Sequence, residues 1–210
     1  MLISGRGSNL AALISAAKAD RYPAEIAVIL ADDPKAAGLV RARDAGISSL
    51  VVDRRRFATK AAFEAELNVR LGETGIEIVC LAGFMRLLSP EFVEAWRDRM
   101  INIHPSLLPL FPGLHTHEKA LAAGVRVHGA TVHFVRPDMD TGPIIAQGVV
   151  PVLPGDTAET LAARVLPVEH RLYPLALKLV AGGRAKVVGN GVVIDGEKLT
   201  PGAALLSPSD

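Results

Sequence analysis

The sequence has 210 residues, of which 50% are hydrophobic and 21% charged, so it is too apolar for a disordered chain and suits one domain or at most two. Its formal net charge of +1 produces no strong positive potential that would attract nucleic acid or an anionic membrane, and neither is expected as a partner. No apolar stretch approaches the roughly 20 residues that cross a bilayer, and no signal peptide is recognisable. One cysteine, Cys80, cannot form an internal disulfide, so we expect a cytoplasmic protein. We also expect it to be a monomer or homodimer.

Short apolar or β-branched runs alternate with segments of helical propensity through the first half of the chain. The runs predicted as strands are residues 2–4, 26–30, 49–52, 76–81 and 99–103. The intervening segments predicted as helices are residues 10–18, 36–45, 61–71 and 90–97. This alternation predicts an α/β fold with a doubly wound, Rossmann-like sheet that is parallel in the amino half.

The second half has a different pattern, with two long strands expected to be antiparallel and to extend the same sheet. The predicted elements are a helix at 116–123, strands at 126–135 and 143–152, a helix at 157–180 and a hairpin at 186–188 and 192–194. Pro167 and Pro174 should break or kink the long helix, and residues 207–210 should fray. We therefore expect a single domain made of an amino half, 1–103, and a carboxy half, 104–210.

A glycine-rich loop, residues 5–9, lies between the first predicted strand and helix. Glycines let a backbone approach an anion, and a helix amino terminus favours a phosphate. Ser8 or Asn9 can also cap the helix or donate side-chain hydrogen bonds. A dinucleotide fingerprint would need a small residue where Leu10 stands, although Asp32 and Asp33 after the second strand keep that possibility open. A monophosphate site, a dinucleotide site and a structural turn are therefore the three alternatives.

Asn102 and His104 lie two residues apart at the end of a predicted strand, so both side chains can face one reacting group. An isolated pair of this kind is typical of a capped strand end with a hydrogen-bonded histidine. A carboxylate such as Asp140, placed near His104, would favour the imidazolium form. The pair would then combine a carboxamide donor with a general acid that needs no metal.

Two other polar segments differ from known metal-binding patterns. The loop at 138–142 has its glycine fifth rather than sixth and lacks the twelfth-position glutamate of a calcium loop. His115 and His117 have no further ligands at zinc spacing. We therefore expect no metal ion.

Five short motifs resemble, in order, those of the glycinamide ribonucleotide formyltransferase family of purine biosynthesis. They are Gly-x-Gly-Ser-Asn-Leu at 5–10, Leu-Ala-Gly-Phe-Met-Arg-Leu-Leu-Ser at 81–89, Asn-Ile-His-Pro-Ser-Leu-Leu-Pro at 102–109, Val-His-Phe-Val at 132–135 and Asp-x-Gly-Pro-Ile-Ile at 140–145. The resemblance covers almost the whole chain and implies the formyltransferase fold, with 10-formyltetrahydrofolate as co-substrate and glycinamide ribonucleotide as acceptor.

By position, the resemblance also assigns roles to residues. It implies a catalytic trio of Asn102, His104 and Asp140, ribonucleotide contacts from Gly7, Ser8, Asn9 and Glu169, and folate contacts from Lys60, Met85, Arg86, Leu87, Leu88 and Asn102. Lys60 stands where the family often has an arginine near the folate's glutamate tail, and it lacks the bidentate fork of arginine. Leu166 stands where some relatives have a polar or basic residue near the phosphate.

The implied mechanism is direct attack of the glycinamide amine on the formyl carbon. Asn102 and His104 would stabilise the oxyanion, and Asp140 would support protonated His104. Three alternatives remain: a formyltetrahydrofolate hydrolase, which usually has an extra amino-terminal domain; a methionyl-tRNA formyltransferase, which usually has a carboxy-terminal RNA-binding domain; and a non-catalytic nucleotide-binding regulator that needs only the 5–9 loop.

Overall fold

The computed structural model describes residues 1–196, so the predicted fraying of residues 207–210 concerns a segment outside the described residues. Within 1–196 the strands form a seven-stranded sheet, in the order β3-β2-β1-β4-β5-β6-β7, and a separate two-stranded hairpin of β8 and β9. The strands are β1 (Leu2–Ile3), β2 (Ile29–Ala31), β3 (Ser49–Val51), β4 (Val79–Leu81), β5 (Met100–His104), β6 (Val127–Phe134), β7 (Ile144–Pro151), β8 (Ala185–Val188) and β9 (Gly191–Ile194).

Strands β1 to β5 pair in parallel, whereas β6 pairs antiparallel with β5 and β7 pairs antiparallel with β6. The predicted Rossmann-like sheet with antiparallel strands added in the carboxy half is therefore confirmed. The second strand differs in position, since a run predicted at 26–30 forms a ladder only over Ile29–Ala31. Because β1 has only two residues, it offers few partners to the strands beside it.

Helices cover both faces of the sheet. They are α1 (Ser8–Ala17), α2 (Gly38–Asp44), α3 (Lys60–Glu73), α4 (Pro90–Ala95), α5 (Thr116–Ala122) and α6 (Ala158–Ala181), with a one-turn 3-10 helix at Arg54–Arg56. Adjacent strand residues point to opposite faces, so Ile3 belongs to a core that contains Leu10 and Tyr173, while Leu2 belongs to one that contains Phe63 and Trp96. These two cores hold the strand ends in fixed positions.

The predicted long helix is confirmed as α6, and it runs without a break through Pro167 and Pro174, so of the predicted break or kink the break does not occur. Its amino terminus is fixed by a capping box in which Thr157 and Thr160 bond reciprocally. Its middle is anchored by the hydroxyl of Tyr173, which lies 2.9 Å from the carbonyl oxygen of Leu81 and 3.1 Å from that of Ile101. Burial and tertiary contacts thus offset the local cost of the prolines.

Candidate active site

The strand order of the parallel part of the sheet changes direction between β1 and β4: β2 and β3 follow on one side of β1, and β5 follows on the other side of β4. Loops at the carboxyl ends of such strands form a crevice where α/β proteins bind ligands. Two backbone-linked contacts join these loops: Ser4 N–H donates to the Gly83 carbonyl at 3.2 Å, and Met85 N–H donates to Ser4 Oγ at 2.9 Å. The predicted phosphate loop and the predicted folate-contacting segment therefore meet at this point.

The glycine-rich loop leads directly into α1. Gly7 is the N-cap residue and has a left-handed backbone, with φ of +70°, and no side chain caps the helix. Neither Ser8 nor Asn9 caps α1, because Ser8 is already the first helical residue, whereas the alternative that one of them donates a side-chain hydrogen bond is confirmed for Asn9. A Cβ atom on Gly7 would lie 2.9 Å from Gly38 Cα, so a glycine is required here by both conformation and space.

Asn9 and Glu169 meet beside this loop although they are 160 positions apart. Asn9 Nδ2 donates to Glu169 Oε2 at 2.7 Å, and both residues are buried. Burial raises the pKa of the Glu169 carboxyl above its usual range, an effect that the Asn9 hydrogen bond partly opposes. Glu169 lies four residues before Tyr173 on α6, hence on the same helix face, and its bond to Asn9 joins this part of α6 to the start of α1.

Asn102, His104 and Asp140 lie in one cluster, in which Asn102 is linked to Asp140 through His133. His104 Nδ1 lies 3.6 Å from Asp140 Oδ2, and both side chains are about nine-tenths buried. Asp140 has a left-handed backbone, with φ of +58°, and its Oδ2 accepts a hydrogen bond from Gly113 N–H at 2.8 Å. Asn102 is partly exposed between buried neighbours on β5, so its carboxamide can reach the crevice.

His133 is a member of this cluster to which the sequence assigned no role of its own. It faces Asn102 directly across the β5–β6 ladder. Its Nδ1 lies 2.9 Å from the Phe134 carbonyl, so it is Nδ1 that carries the proton and donates. Nε2 then accepts from Asn102 Nδ2 at 3.3 Å and lies 3.8 Å from Asp140 Oδ1. Burial lowers the pKa of His133 and so favours this neutral ring.

The two ring nitrogens of His104 face two different acceptors. Nδ1 faces Asp140, and Nε2 lies 3.1 Å from the carbonyl oxygen of Phe111. Phe111 has a left-handed backbone, with φ of +54°. Only a ring with protons on both nitrogens can donate to both oxygens.

The predicted folate-contacting segment, 85–88, has side chains in contrasting positions. Met85 is 70% exposed and Leu87 is 66% exposed, whereas Leu88 is packed in the core, so its side chain is turned away from solvent. Arg86 Nε donates to Asp32 Oδ2 at 2.5 Å. Because Asp32 is buried in this ion pair, its carboxylate does not have the exposure that a ribose-binding acid of a dinucleotide site requires.

Lys60 and Arg86 line one cavity of about 170 Å³. Its other lining residues are Arg54, Phe63, Glu64 and Leu87. Glu64 is buried, lies 3.9 Å from Lys60 Nζ and accepts a hydrogen bond from Ser89 N–H at 2.8 Å. The cavity is thus lined by three cations and one carboxylate, a balance that suits an anionic group.

Within residues 1–196, no group of three or more histidine, cysteine, aspartate or glutamate side chains is arranged to hold a metal ion. No helix in the same part of the chain is both long and apolar enough to span a membrane.

The sheet, its switch-point crevice and the Asn-His-Asp cluster occur together in a chain whose residues 1–177 match the profile of the formyl transferase family. The chain therefore belongs to the formyl transferase family. It is 44% identical over 201 residues to phosphoribosylglycinamide formyltransferase of Escherichia coli K12, covering 96% of this chain and 95% of that protein.

Two further comparisons agree with the family. Over 193 residues the chain is 47% identical to the trifunctional purine biosynthetic protein adenosine-3 of Homo sapiens, covering 92% of this chain but 19% of that protein, so it spans about a fifth of the longer relative. The crystal structure of glycinamide ribonucleotide transformylase 1 from Symbiobacterium toebii matches with a TM-score of 0.89 at 48% identity, covering 92% of this chain and 91% of that one.

Proposed function

We propose that this chain transfers the formyl group of 10-formyltetrahydrofolate to the amine of glycinamide ribonucleotide, giving formylglycinamide ribonucleotide and tetrahydrofolate in de novo purine biosynthesis. The observation that carries the proposal is the cluster of Asn102, His104 and Asp140, in which His104 Nδ1 lies 3.6 Å from Asp140 Oδ2. The names of the E. coli and S. toebii relatives support the same acceptor and the same transferred formyl group. In this proposal the enzyme works in the cytoplasm, as a monomer or homodimer, on small molecules and without a metal ion.

Each substrate is assigned to one side of the crevice. Gly7, Ser8 and Asn9 bind the ribonucleotide phosphate through the open amino terminus of α1, where the helix dipole favours an anion. Glu169 binds near the ribose, which is consistent with its contact to Asn9. The folate is contacted by the side chains of Lys60, Met85, Arg86 and Leu87 and by the backbone at Leu88. Asn102 lies where the two substrates meet.

The chemistry is an acyl transfer between two nitrogen atoms. The amine forms a bond to the formyl carbon while the carbonyl oxygen becomes an oxyanion, which receives hydrogen bonds from Asn102 and His104. One proton leaves the attacking amine and one reaches the departing folate nitrogen, so the protons balance. Asp140 keeps His104 protonated and oriented, because the carboxylate faces Nδ1. Binding both substrates in one crevice supplies the proximity contribution.

His104 donates to the oxyanion through Nε2 in this proposal. Nε2 lies 3.1 Å from the Phe111 carbonyl oxygen, so the formyl oxygen has to replace that carbonyl. Asp140 retains its contact with Nδ1 during the exchange.

A deformylation assay tests the function and its alternatives together. Consumption of 10-formyltetrahydrofolate is measured with and without glycinamide ribonucleotide, and the formyl product and formate are both quantified. The proposal predicts formylglycinamide ribonucleotide only when the acceptor is present. Formate release without the acceptor would instead indicate a hydrolase.

Two further arms separate the remaining alternatives. Formylation of methionyl-tRNA in place of the ribonucleotide would indicate a tRNA formyltransferase. Ribonucleotide binding without any reaction would indicate a regulator that uses only the 5–9 loop.

A further inference from the structure

Arg86 is held by a carboxylate that lies 54 positions earlier in the chain. Asp32 follows β2 and Arg86 follows β4, and these two strands flank β1 in the sheet. Arg86 Nε donates to Asp32 Oδ2 at 2.5 Å. The contact therefore ties the 85–88 segment to the neighbouring strand end on the far side of the switch point.

The burial of the two partners is unequal. The Asp32 side chain is 1% exposed, and that of Arg86 is 45% exposed. Asp32 Oδ1 has no hydrogen-bond partner in the described part of the chain. A buried carboxylate with one free oxygen is costly unless a cation remains beside it, so Asp32 and Arg86 depend on each other.

The ion pair uses only one edge of the guanidinium group. A guanidinium has five N–H donors, and among residues 1–196 no hydrogen bond engages either terminal nitrogen of Arg86. Arg86 lines the cavity that also contains Arg54 and Lys60. Two parallel N–H groups beside further cations match the geometry and charge of a carboxylate.

We propose that Asp32 is a positioning residue that fixes the Nε edge of Arg86 and thereby presents its terminal nitrogens to a carboxylate of the formyl donor. The inference rests on the proposed function, because it assigns that carboxylate to the glutamate portion of the folate. Asp32 does not touch the substrate. It sets the orientation of the cation and reduces the loss of side-chain freedom when the donor binds.

The test compares two formyl donors that differ only in the carboxylates. One is 10-formyltetrahydrofolate with a single glutamate, and the other is 10-formyltetrahydropteroate, which has no glutamate. Wild-type enzyme should favour the first in kcat/KM. Asp32→Asn, which keeps the side-chain volume, should lower kcat/KM for the glutamate-bearing donor by about tenfold, the size of one lost charge-assisted bond. The loss should appear in KM, while kcat and the glutamate-free donor change by less than about twofold.

Asp33→Asn is the matched control. Asp33 is the next residue, is partly exposed and lies 3.9 Å from Arg55 rather than near Arg86, so its substitution should leave the preference between donors unchanged. An equal loss for both donors in Asp32→Asn would overturn the proposal, because a purely structural role affects both alike. Unchanged values for both donors would overturn it as well.

Two further results keep the inference separate from the proposed function. If Asp32→Asn does not fold, Arg86→Lys, which keeps a cation beside Asp32, should lose affinity selectively for the glutamate-bearing donor, and an unselective loss would count against the proposal. If wild-type enzyme transfers formyl from both donors equally well, this inference fails while the proposed function stands. If it transfers from neither, the proposed function itself is wrong.

Discussion

The Asp140 carboxylate lies next to three groups of the candidate active site. Its Oδ2 accepts from Gly113 N–H at 2.8 Å and faces His104, and its Oδ1 lies 3.8 Å from His133 Nε2. Asp140→Asn keeps the volume but removes the negative charge that faces His104 Nδ1. We expect kcat to fall on the order of 10²-fold, as for loss of acid–base support, while ribonucleotide binding measured by calorimetry stays nearly intact.

Asp138→Asn provides the control for this change. Asp138 belongs to the same loop, and its backbone carbonyl, rather than its carboxylate, accepts a hydrogen bond from Thr141. Its turnover should match that of wild-type enzyme. Unchanged turnover in Asp140→Asn would remove Asp140 from the mechanism.

His133 has a role that is testable through Asn102. Its Nε2 accepts from Asn102 Nδ2 at 3.3 Å, so His133→Leu should free the carboxamide to rotate and should lower kcat by about tenfold, a part of the effect of losing one oxyanion donor. In an Asn102→Ala background the same change should have little further effect. His133→Gln, which retains an acceptor, should recover part of the activity, whereas additive losses would indicate a separate structural role.

His128 is fully buried on β6, with its ring against those of Phe111 and His117. Burial lowers its pKa from 6.5 to about 4. The unfolded chain therefore takes up a proton as pH falls through 6.5, while the folded chain does not until about pH 4. The free energy of unfolding should decrease by about 3 kcal/mol across this interval, at 1.36 kcal/mol per pKa unit.

Urea unfolding of wild-type protein and of His128→Phe at a series of pH values measures this effect. The other titrating groups are common to both proteins, so the difference between the two curves isolates His128. That difference should change between pH 6.5 and about pH 4 and be flat at neutral pH. Parallel curves over the whole range would contradict the linkage.

At the scale of elements, the β6–β7 connection places Asp140, and Gly142 determines its path. A Cβ atom on Gly142 would lie 1.6 Å from the Phe134 carbonyl oxygen, so Gly142→Ala forces the backbone to move. We expect a loss of about 1–3 kcal/mol in unfolding free energy, typical of overpacking. Turnover should fall as well, because Asp140 moves with the connection. Thermal unfolding and kcat together check the prediction.

Gly72 supplies the opposite case. It lies within α3, and apart from its chain neighbours and the backbone of its own helix no described atom lies within 4 Å of the position that a Cβ atom would take. Gly72→Ala should therefore stabilise the protein by about 0.5–1 kcal/mol through the lower entropy of the unfolded chain. Its activity should be unchanged. A lower unfolding free energy in Gly72→Ala would show that replacing this glycine destabilises the fold for a reason other than a steric clash.

The elements that could be predicted from the sequence are those with a strong local pattern. The alternation of apolar runs and helices indicated the parallel sheet, and the two long strands β6 and β7 were expected within one or two residues of their bounds. A side-chain cap on α1 does not form, because Gly7 is the N-cap residue. No break occurs at Pro167 or Pro174, because tertiary contacts of α6 override the local preference there.

Contacts between distant residues could not be predicted in the same way. Asn102 and His104 were visible because they lie two residues apart on one strand. The pairing of Asn102 with His133 depends on the antiparallel register of β5 and β6, which the local sequence of neither strand specifies. The pairing of Asp32 with Arg86 depends on the order of the strands in the sheet, so the local sequence around either residue does not predict the contact.

At the scale of the whole molecule, the two halves of the chain share one sheet. Strand β5 pairs with β4 on one edge and with β6 on the other, and α6 packs on both α1 and β6. We therefore expect one cooperative unfolding transition. Denaturation followed by Trp96 fluorescence and by far-ultraviolet circular dichroism should give the same midpoint. Two separated midpoints would indicate that residues 1–103 and the remainder unfold independently.

The position of Cys80 on β4 gives the protein a built-in chemical reporter. Its side chain is buried, and burial raises the pKa of the thiol to about 11, so almost no thiolate exists at neutral pH and no reagent can reach the sulfur. Alkylation requires the central strands to separate. The rate at which a thiol reagent modifies the unaltered chain therefore measures how often the sheet beneath the crevice opens.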